Sequence, residues 1–378
     1  MISLLGDFWG VMTTIGYIAL ALVALLIMIT IHEAGHYTFG KLLGFKINEF
    51  SIGFGKALFS KKLKSGEIFS IRIIPLGGYC AFAGEDEDDA DPKAFNNQKP
   101  WKRLIVQFGG VCFNFLSAII FSFILLLAFG YDVQRIKSVP DVTLQPNLQT
   151  NDVIREIDGV KVDFITDNTT NSLINKFYAN LTEEQLANPE RVVTIEDKEY
   201  KVYAGMTFGV DRGGERLNVP VYLYVTENVD DAGKTTPVFK MGFVSVAYVH
   251  SFWEALARCI PLTFAFAWKV LVSLWMLITG ALSLADMGGP FTTIGMMADY
   301  SQQNIANLFV FLPFISANLA VFNLLPIPAL DGARMVFTTI EWIRKKPINR
   351  DIEARIHFVG IIILFAFMIL VDVYHLFI

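Results

Sequence analysis

Met28–His36 reads MITIHEAGH, and the reading of this stretch decides what kind of chain follows. His32 and His36 stand at i and i+4, so on a helix they share one face about one turn apart. Their ring nitrogens can hold a single metal ion, and Glu33 beside the first can move protons. The motif lies at the inner end of an apolar run, Gly16–Phe39, that is long enough to cross a bilayer. Water-dependent metal chemistry is therefore expected in a membrane-embedded helix.

The bulk properties agree. The chain has 378 residues, 53% of them hydrophobic and only 18% charged, fewer charges than a soluble protein of this size carries. Besides Gly16–Phe39, the stretches Leu104–Phe129, Leu308–Leu330 and Phe358–Ile378 are apolar and long. A fifth, Ala255–Leu282, carries Arg258 and Lys269. The polar stretch Tyr131–His250 has the size of one small domain. A net charge of −5 argues against nucleic acid as the main partner. Cys80, Cys112 and Cys259 are scattered and form neither a metal-binding pair nor a disulfide framework. The first apolar run lacks a basic leader, and HEAGH occupies the place of a cleavage site, so we read it as a retained span.

Lys and Arg favour the cytoplasmic side of short loops. The Lys41–Arg103 connection is rich in both, although it also holds the acidic run Glu85–Asp91, and Arg334–Arg355 is basic too. The residues before Gly16 and the segment Ser283–Asn307 have neither Lys nor Arg. The N-terminus and the polar domain are thus expected outside, with about four spans. By parity, Ala255–Leu282 is expected to lie on or dip into the outer face.

Hydrolytic zinc sites use three protein ligands. Of the other histidines, His250 is expected outside and His375 at the far end of the last span, which leaves His357 as the histidine competitor. Asp331, in NLLPIPALDG (Asn323–Gly332), is favoured. An ionisable Asp at the end of an apolar span is costly without a partner, and a metal would be that partner. A helix cap or an ion pair with Arg334 would also account for it. Two imidazoles and a carboxylate suit zinc but also admit other ions.

HEAGH on a first span, NLLPIPALDG on a late one and an outside domain between them resemble the site-2 proteases, zinc intramembrane proteases, and in particular their bacterial branch that cuts membrane-bound regulators. EFSIGFGK (Glu49–Lys56), IPLGGY (Ile74–Tyr79), Asn114 and GGP (Gly288–Pro290) extend the likeness over nearly the whole chain. The resemblance implies one Zn2+ held by His32, His36 and Asp331, Glu33 as catalytic acid/base, and Asn323 near the scissile carbonyl. It implies single-pass transmembrane substrates cut after a prior extracytoplasmic cleavage, contact with membrane lipid, and residence in the bacterial cytoplasmic membrane. Ala333 stands where relatives commonly have Gly, and Val111 where Pro is common; neither removes a ligand.

The expected fold is a polytopic α-helical membrane protein in four parts. Residues 1–130 hold two spans, the motif helix and a membrane-associated β-hairpin; 131–250 form an extracytoplasmic α+β PDZ-like domain; 251–307 form an interfacial or re-entrant segment; 308–378 hold the last two spans. The hairpin is read from Phe45–Ser51 and Glu67–Tyr79, joined through the turn Lys64–Gly66. Its exposed edge would pair with an unwound substrate. Gly35, Gly40 and Gly44 read as positions for close helix packing or a water channel, with packing preferred for the last two. The outer domain is read from LQTNDVIREIDGVKV (Leu148–Val162), a helix around Asn171–Ala187, strands at Val192–Ile195 and Glu199–Tyr203, and further β pattern over Asn218–Val249. Asn151 replaces the Gly usual in that position, and Asp167–Asn171 is unusually polar. The domain would bind peptide ends or bar bulky substrates.

Two other functions are compatible with parts of the sequence: an inactive scaffold that binds partners through the PDZ-like domain, and a metal transporter. Intact His32, Glu33, His36 and Asp331 disfavour the first, and the scarcity of polar residues along the spans disfavours the second. The sequence sets no oligomeric state.

Overall fold

A computed structural model of the chain describes residues 2–85, 89–162, 170–195, 198–229, 235–249, 251–282 and 288–376. His250, residues 86–88 of the acidic run, residues 167–169 of the polar stretch and residues 283–287 lie outside them. The chain divides into two compact units: Leu126–Ala257 forms one, and the segments on either side of it form the other.

The helical unit begins with α1 (Ile2–Leu43), a single helix that carries HEAGH near its end. At Gly44 the chain adopts φ +80°, a left-handed geometry that favours glycine and stops the helix. Gly44 is thus a terminator, where the sequence reading gave it a packing role. Gly40 does pack, against the Phe82 ring, and Gly35 meets the backbone of α2 (Pro100–Phe129).

Between α1 and α2 lie β1 (Ile47–Lys62) and β2 (Ile68–Phe82), joined through Lys64–Gly66 as the sequence predicts. The strands are longer than expected because each bends. Ile52 pairs with Gly78 on one side and Ile71 on the other, while Ser60 pairs with Ser70. The early half of β1 is therefore flanked by both halves of β2. Gly53 and Gly55, at φ +85° and +84°, permit this fold-back. The late half of β2, around Tyr79–Phe82, pairs on one side with β1. Phe45, Ile47 and Phe82 join Phe95 and Val106 in a core that anchors the hairpin to α2.

After the inserted unit come α5 (Phe252–Ile278), α6 (Pro290–Gln303), α7 (Ala306–Leu324), α8 (Asp331–Arg344) and α9 (Arg350–Leu376). Ala21, Ala24 and Met28 of α1 pack with Ile294 and Met297 of α6 and with Leu308 and Ile315 of α7. The segment expected to lie on or dip into the outer face is one continuous helix, α5. Thr263 Oγ1 lies 3.0 Å from Ser122 Oγ on α2, and Ala267 and Val270 pack against Val321 of α7. Among the described residues five helices, α1, α2, α5, α7 and α9, are long and apolar enough to cross a membrane. Phe358, Ile362, Ile363 and Phe365 of α9 and Val23 and Ile27 of α1 face outward. Apolar surface of this kind is costly in water and natural in lipid. The chain is a multi-pass membrane protein with a β-rich unit.

The inserted unit holds β3 (Tyr131–Ser138), β4 (Val153–Ile157), β5 (Val160–Lys161), α3 (Thr170–Ala179), α4 (Glu183–Ala187), β6 (Arg191–Ile195), β7 (Lys198–Arg212), β8 (Glu215–Val229), β9 (Thr235–Lys240) and β10 (Val244–Val249). These strands form one antiparallel sheet with the main order β10-β3-β4-β7-β8-β9; β5 pairs with β4 and β6 with β7. The helix expected over Asn171–Ala187 is two helices, because Thr182 and Gln185 cap each other and start a second one. Asn151, noted in the sequence as standing in for Gly, adopts φ +75°, a conformation Asn tolerates better than most residues. Phe208, Val221 and Leu223 are fully buried in the core, where each large side chain contributes about 1.5–3 kcal/mol. Leu173, Ile174 and Phe177 of α3 pack against it.

Candidate active site

Three helices of the helical unit build the site. HEAGH stays helical through Leu43, so His32 and His36 project from the same face of α1. The loop between α7 and α8 contains Pro326 and Pro328, which cannot continue a helix. Asp331 opens α8 just beyond it. Gly332 makes the tight entry feasible, since a side chain there would strike the carbonyls of Leu324 and Leu325. Asp331 Oδ2 lies 3.0 Å from His32 Nε2 and 3.2 Å from His36 Nε2, and the two Nε2 atoms are 3.2 Å apart. Both histidines are under 10% exposed.

The second nitrogen of each ring is anchored on α2. His36 Nδ1 lies 2.8 Å from the Val106 carbonyl oxygen and must donate its hydrogen there. His32 Nδ1 lies 3.1 Å from the Asn114 side-chain amide. Between these anchors sits Gly110, where a Cβ would stand 2.5 Å from His32 Cε1 and from His36 Nε2. The sequence reading missed Gly110, although the pair Gly109–Gly110 inside an apolar span is a signal for close helix approach.

Two cavities open on this cluster. One, of about 220 Å3, is lined by His32, Glu33, Asn323 and Asp331, four of the five site residues read from the sequence, together with Ala329. The other, of about 350 Å3, is lined by Glu33, His36, Asp331 and the late half of β2, Tyr79–Phe82. Glu33 borders both, and it receives a hydrogen bond from the Cys80 backbone N–H. Burial pushes the Cys80 thiol itself well above its usual range, which keeps it protonated. A third cavity shares Glu85, Phe95, Gln107 and Arg334 with the second and extends to Arg350 and Glu353. Arg334 pairs with Glu85, while Asp331 Oδ2 faces His32 and His36. His357, the competing histidine, accepts the Ala329 backbone N–H at 3.0 Å and stays off the cluster. His375 Nδ1 bonds the Val371 carbonyl within its own helix.

The donor set fits a zinc ion. Ligand atoms about 2.0 Å from a tetrahedral ion stand roughly 3.3 Å apart, close to the separations seen here. With its Nδ1 hydrogen committed to Val106, His36 presents a bare lone pair on Nε2. Asp331 Oδ2 is buried and has no hydrogen-bond partner among the described residues. A lone pair and an unpartnered carboxylate oxygen aimed at each other repel unless a cation lies between them. His32, His36 and Asp331 can hold such an ion.

A buried two-histidine, one-carboxylate cluster with a glutamate beside it, inside a bundle of membrane-length helices, defines a membrane metallopeptidase. The sequence pattern of Peptidase family M50 matches residues 20–367, and the chain belongs to that family, the site-2 proteases. It is similar to a protein of Clostridium perfringens at 29% identity, over 94% of this chain and 97% of the relative. One from Fusobacterium nucleatum is 30% identical over 94% and 96%, and one from Synechocystis is 28% identical over 92% and 91%. All three carry the name "Putative zinc metalloprotease". The chain is a membrane zinc metalloprotease.

Proposed function

We propose that this protease hydrolyses a peptide bond in or near the transmembrane helix of a single-pass membrane protein. In this reading His32, His36 and Asp331 are the zinc ligands. The observation that carries it is the convergence of three ligand atoms within 3.2 Å, with Glu33 lining both cavities beside them. Bound there, zinc supplies Lewis acidity that makes water a nucleophile near neutral pH. Glu33 takes the proton of the attacking water and passes it to the leaving amine. The Asn323 side-chain amide, at the wall of the smaller cavity, donates to the oxyanion that forms on the scissile carbonyl.

A transmembrane helix hides its carbonyls in hydrogen bonds, so the substrate must unwind before it is cut. The late half of β2 lines the catalytic cavity, and its edge offers backbone pairing to an extended segment. The basic connections argue for a cytoplasmic hairpin, an N-terminus and β-rich unit outside, and a bacterial cytoplasmic membrane as the setting. About four spans satisfy that charge pattern, with α5 packed among them without crossing fully. The β-rich unit serves as a PDZ-like filter that delays cleavage until a first protease has removed the substrate's outer domain.

The test is a purified Glu33→Gln variant assayed for zinc content and for cleavage of a model transmembrane helix. The expected result is zinc retained and cleavage lost. Cleavage at the wild-type rate would overturn the assignment.

A further inference from the structure

We infer that Asn114 is a positioning residue for the metal site: its side-chain oxygen takes the Nδ1 hydrogen of His32 and so turns the His32 Nε2 lone pair toward the ion. The inference rests on the reading of His32, His36 and Asp331 as zinc ligands.

Asn114 is fully buried in α2, a costly place for an amide without a task. Its backbone carbonyl accepts the Ser117 and Ser316 hydroxyls at 3.0 and 2.9 Å, which ties α2 to α7. The side chain has no part in that tie. As placed, its Nδ2 lies 3.1 Å from His32 Nδ1 and its buried Oδ1 has no partner among the described residues, so the inferred arrangement is the half-turned amide.

An amide offers a donor at one end and an acceptor at the other, and a half-turn exchanges them without changing its volume. If the NH2 end faced His32, Nδ1 would accept and Nε2 would carry the hydrogen. That hydrogen would point into the cluster, where a ligand needs a bare lone pair. With the oxygen facing His32, Nδ1 donates and Nε2 is free. His36 is already set this way by the Val106 carbonyl. Val106, Gly110 and Asn114 are spaced by four residues, so they lie along one face of α2. One helix face thus sets the tautomers of both histidines, with a glycine between the anchors to admit the rings. Outer partners of metal-bound histidine typically contribute 10–100-fold in metal affinity.

The experiment measures zinc affinity of the purified full chain by competition with a chelator, for wild type, Asp331→Ala, Asn114→Leu and Asn114→Asp. Leucine keeps the volume but has no acceptor; aspartate restores one. The expected result is zinc binding about 10–100-fold weaker for Asn114→Leu and within a few-fold of wild type for Asn114→Asp. Thermal unfolding of the metal-free proteins separates a lost fold from a lost anchor. If Asn114→Leu also unfolds early, the aspartate variant decides: recovered affinity supports the inference, and failure overturns it. Unchanged affinity in Asn114→Leu overturns it as well. If wild type binds no zinc, or Asp331→Ala still binds it, the metal-site reading itself falls. With wild type and Asp331→Ala behaving as expected, an inert Asn114→Leu refutes the Asn114 role alone.

Discussion

Gly35 of α1 and Gly109 of α2 meet backbone to backbone: a Cβ on Gly109 would stand 2.7 Å from the Gly35 carbonyl oxygen. One residue further on, Gly110 lies directly against the two histidine rings. Alanine at Gly109 is expected to cost about 1–3 kcal/mol through overpacking. Alanine at Gly110 is expected to displace the rings and lower zinc affinity by at least about 10-fold. Thermal unfolding and zinc titration of the two purified variants check both outcomes, and a Gly110→Ala protein with wild-type affinity would contradict the close fit.

Asp331 and Asn323 border the same cavity, yet they are expected to fail differently. Asp331→Ala loses the ion and with it all cleavage. Asn323→Ala keeps the ion and loses about 10²–10³-fold in kcat, the usual effect of removing an oxyanion donor. Zinc content paired with single-turnover cleavage separates the two. Zinc loss in Asn323→Ala would reassign that residue.

Stability is expected to depend on pH through Glu67 in the hairpin connection. Burial works against its charge, but the Lys41 ammonium at 2.7 Å, its own backbone N–H and the Ser65 and Tyr37 hydroxyls outweigh that. The carboxyl is held down at about 2, below its ordinary 4.5. A depressed acid stabilises the fold above its unfolded pKa, and that stabilisation fades as pH falls from about 4.5 toward 2. Glu67→Gln is expected to flatten this part of the unfolding profile. A profile identical to wild type between those pH values would show that the ion pair adds nothing.

On the filter reading, deleting residues 131–250 is expected to let the protease cut a substrate that still carries its outer domain. The comparison is cleavage of intact and pre-cut substrates by full-length and deleted protein in the same vesicles. Continued dependence on the first cut in the deleted protein would remove the filter role.

The His32–His36–Asp331 cluster was legible because its residues are local or costly: HEAGH is a spacing on one helix, and Asp331 is a charge at the end of an apolar span. The fold was legible wherever a run of one residue class set the element, as in α1, α2 and α9. It was hidden where long-range pairing decided. Nothing around Ile52 announces that it pairs on both sides, and the break at Thr182 depends on a reciprocal cap between two polar residues. The outer-face reading of Ala255–Leu282 came from the parity of the charged loops, which carries no information on how long a helix that segment forms; it forms α5, 27 residues long.

About three hundred residues of chain separate the histidine pair from Asp331. A ribosome that has just inserted α1 has delivered imidazoles and a glutamate with no acid to complete them. On the proposed ligand set, hydrolytic power arrives only late in synthesis, once α8 reaches α1.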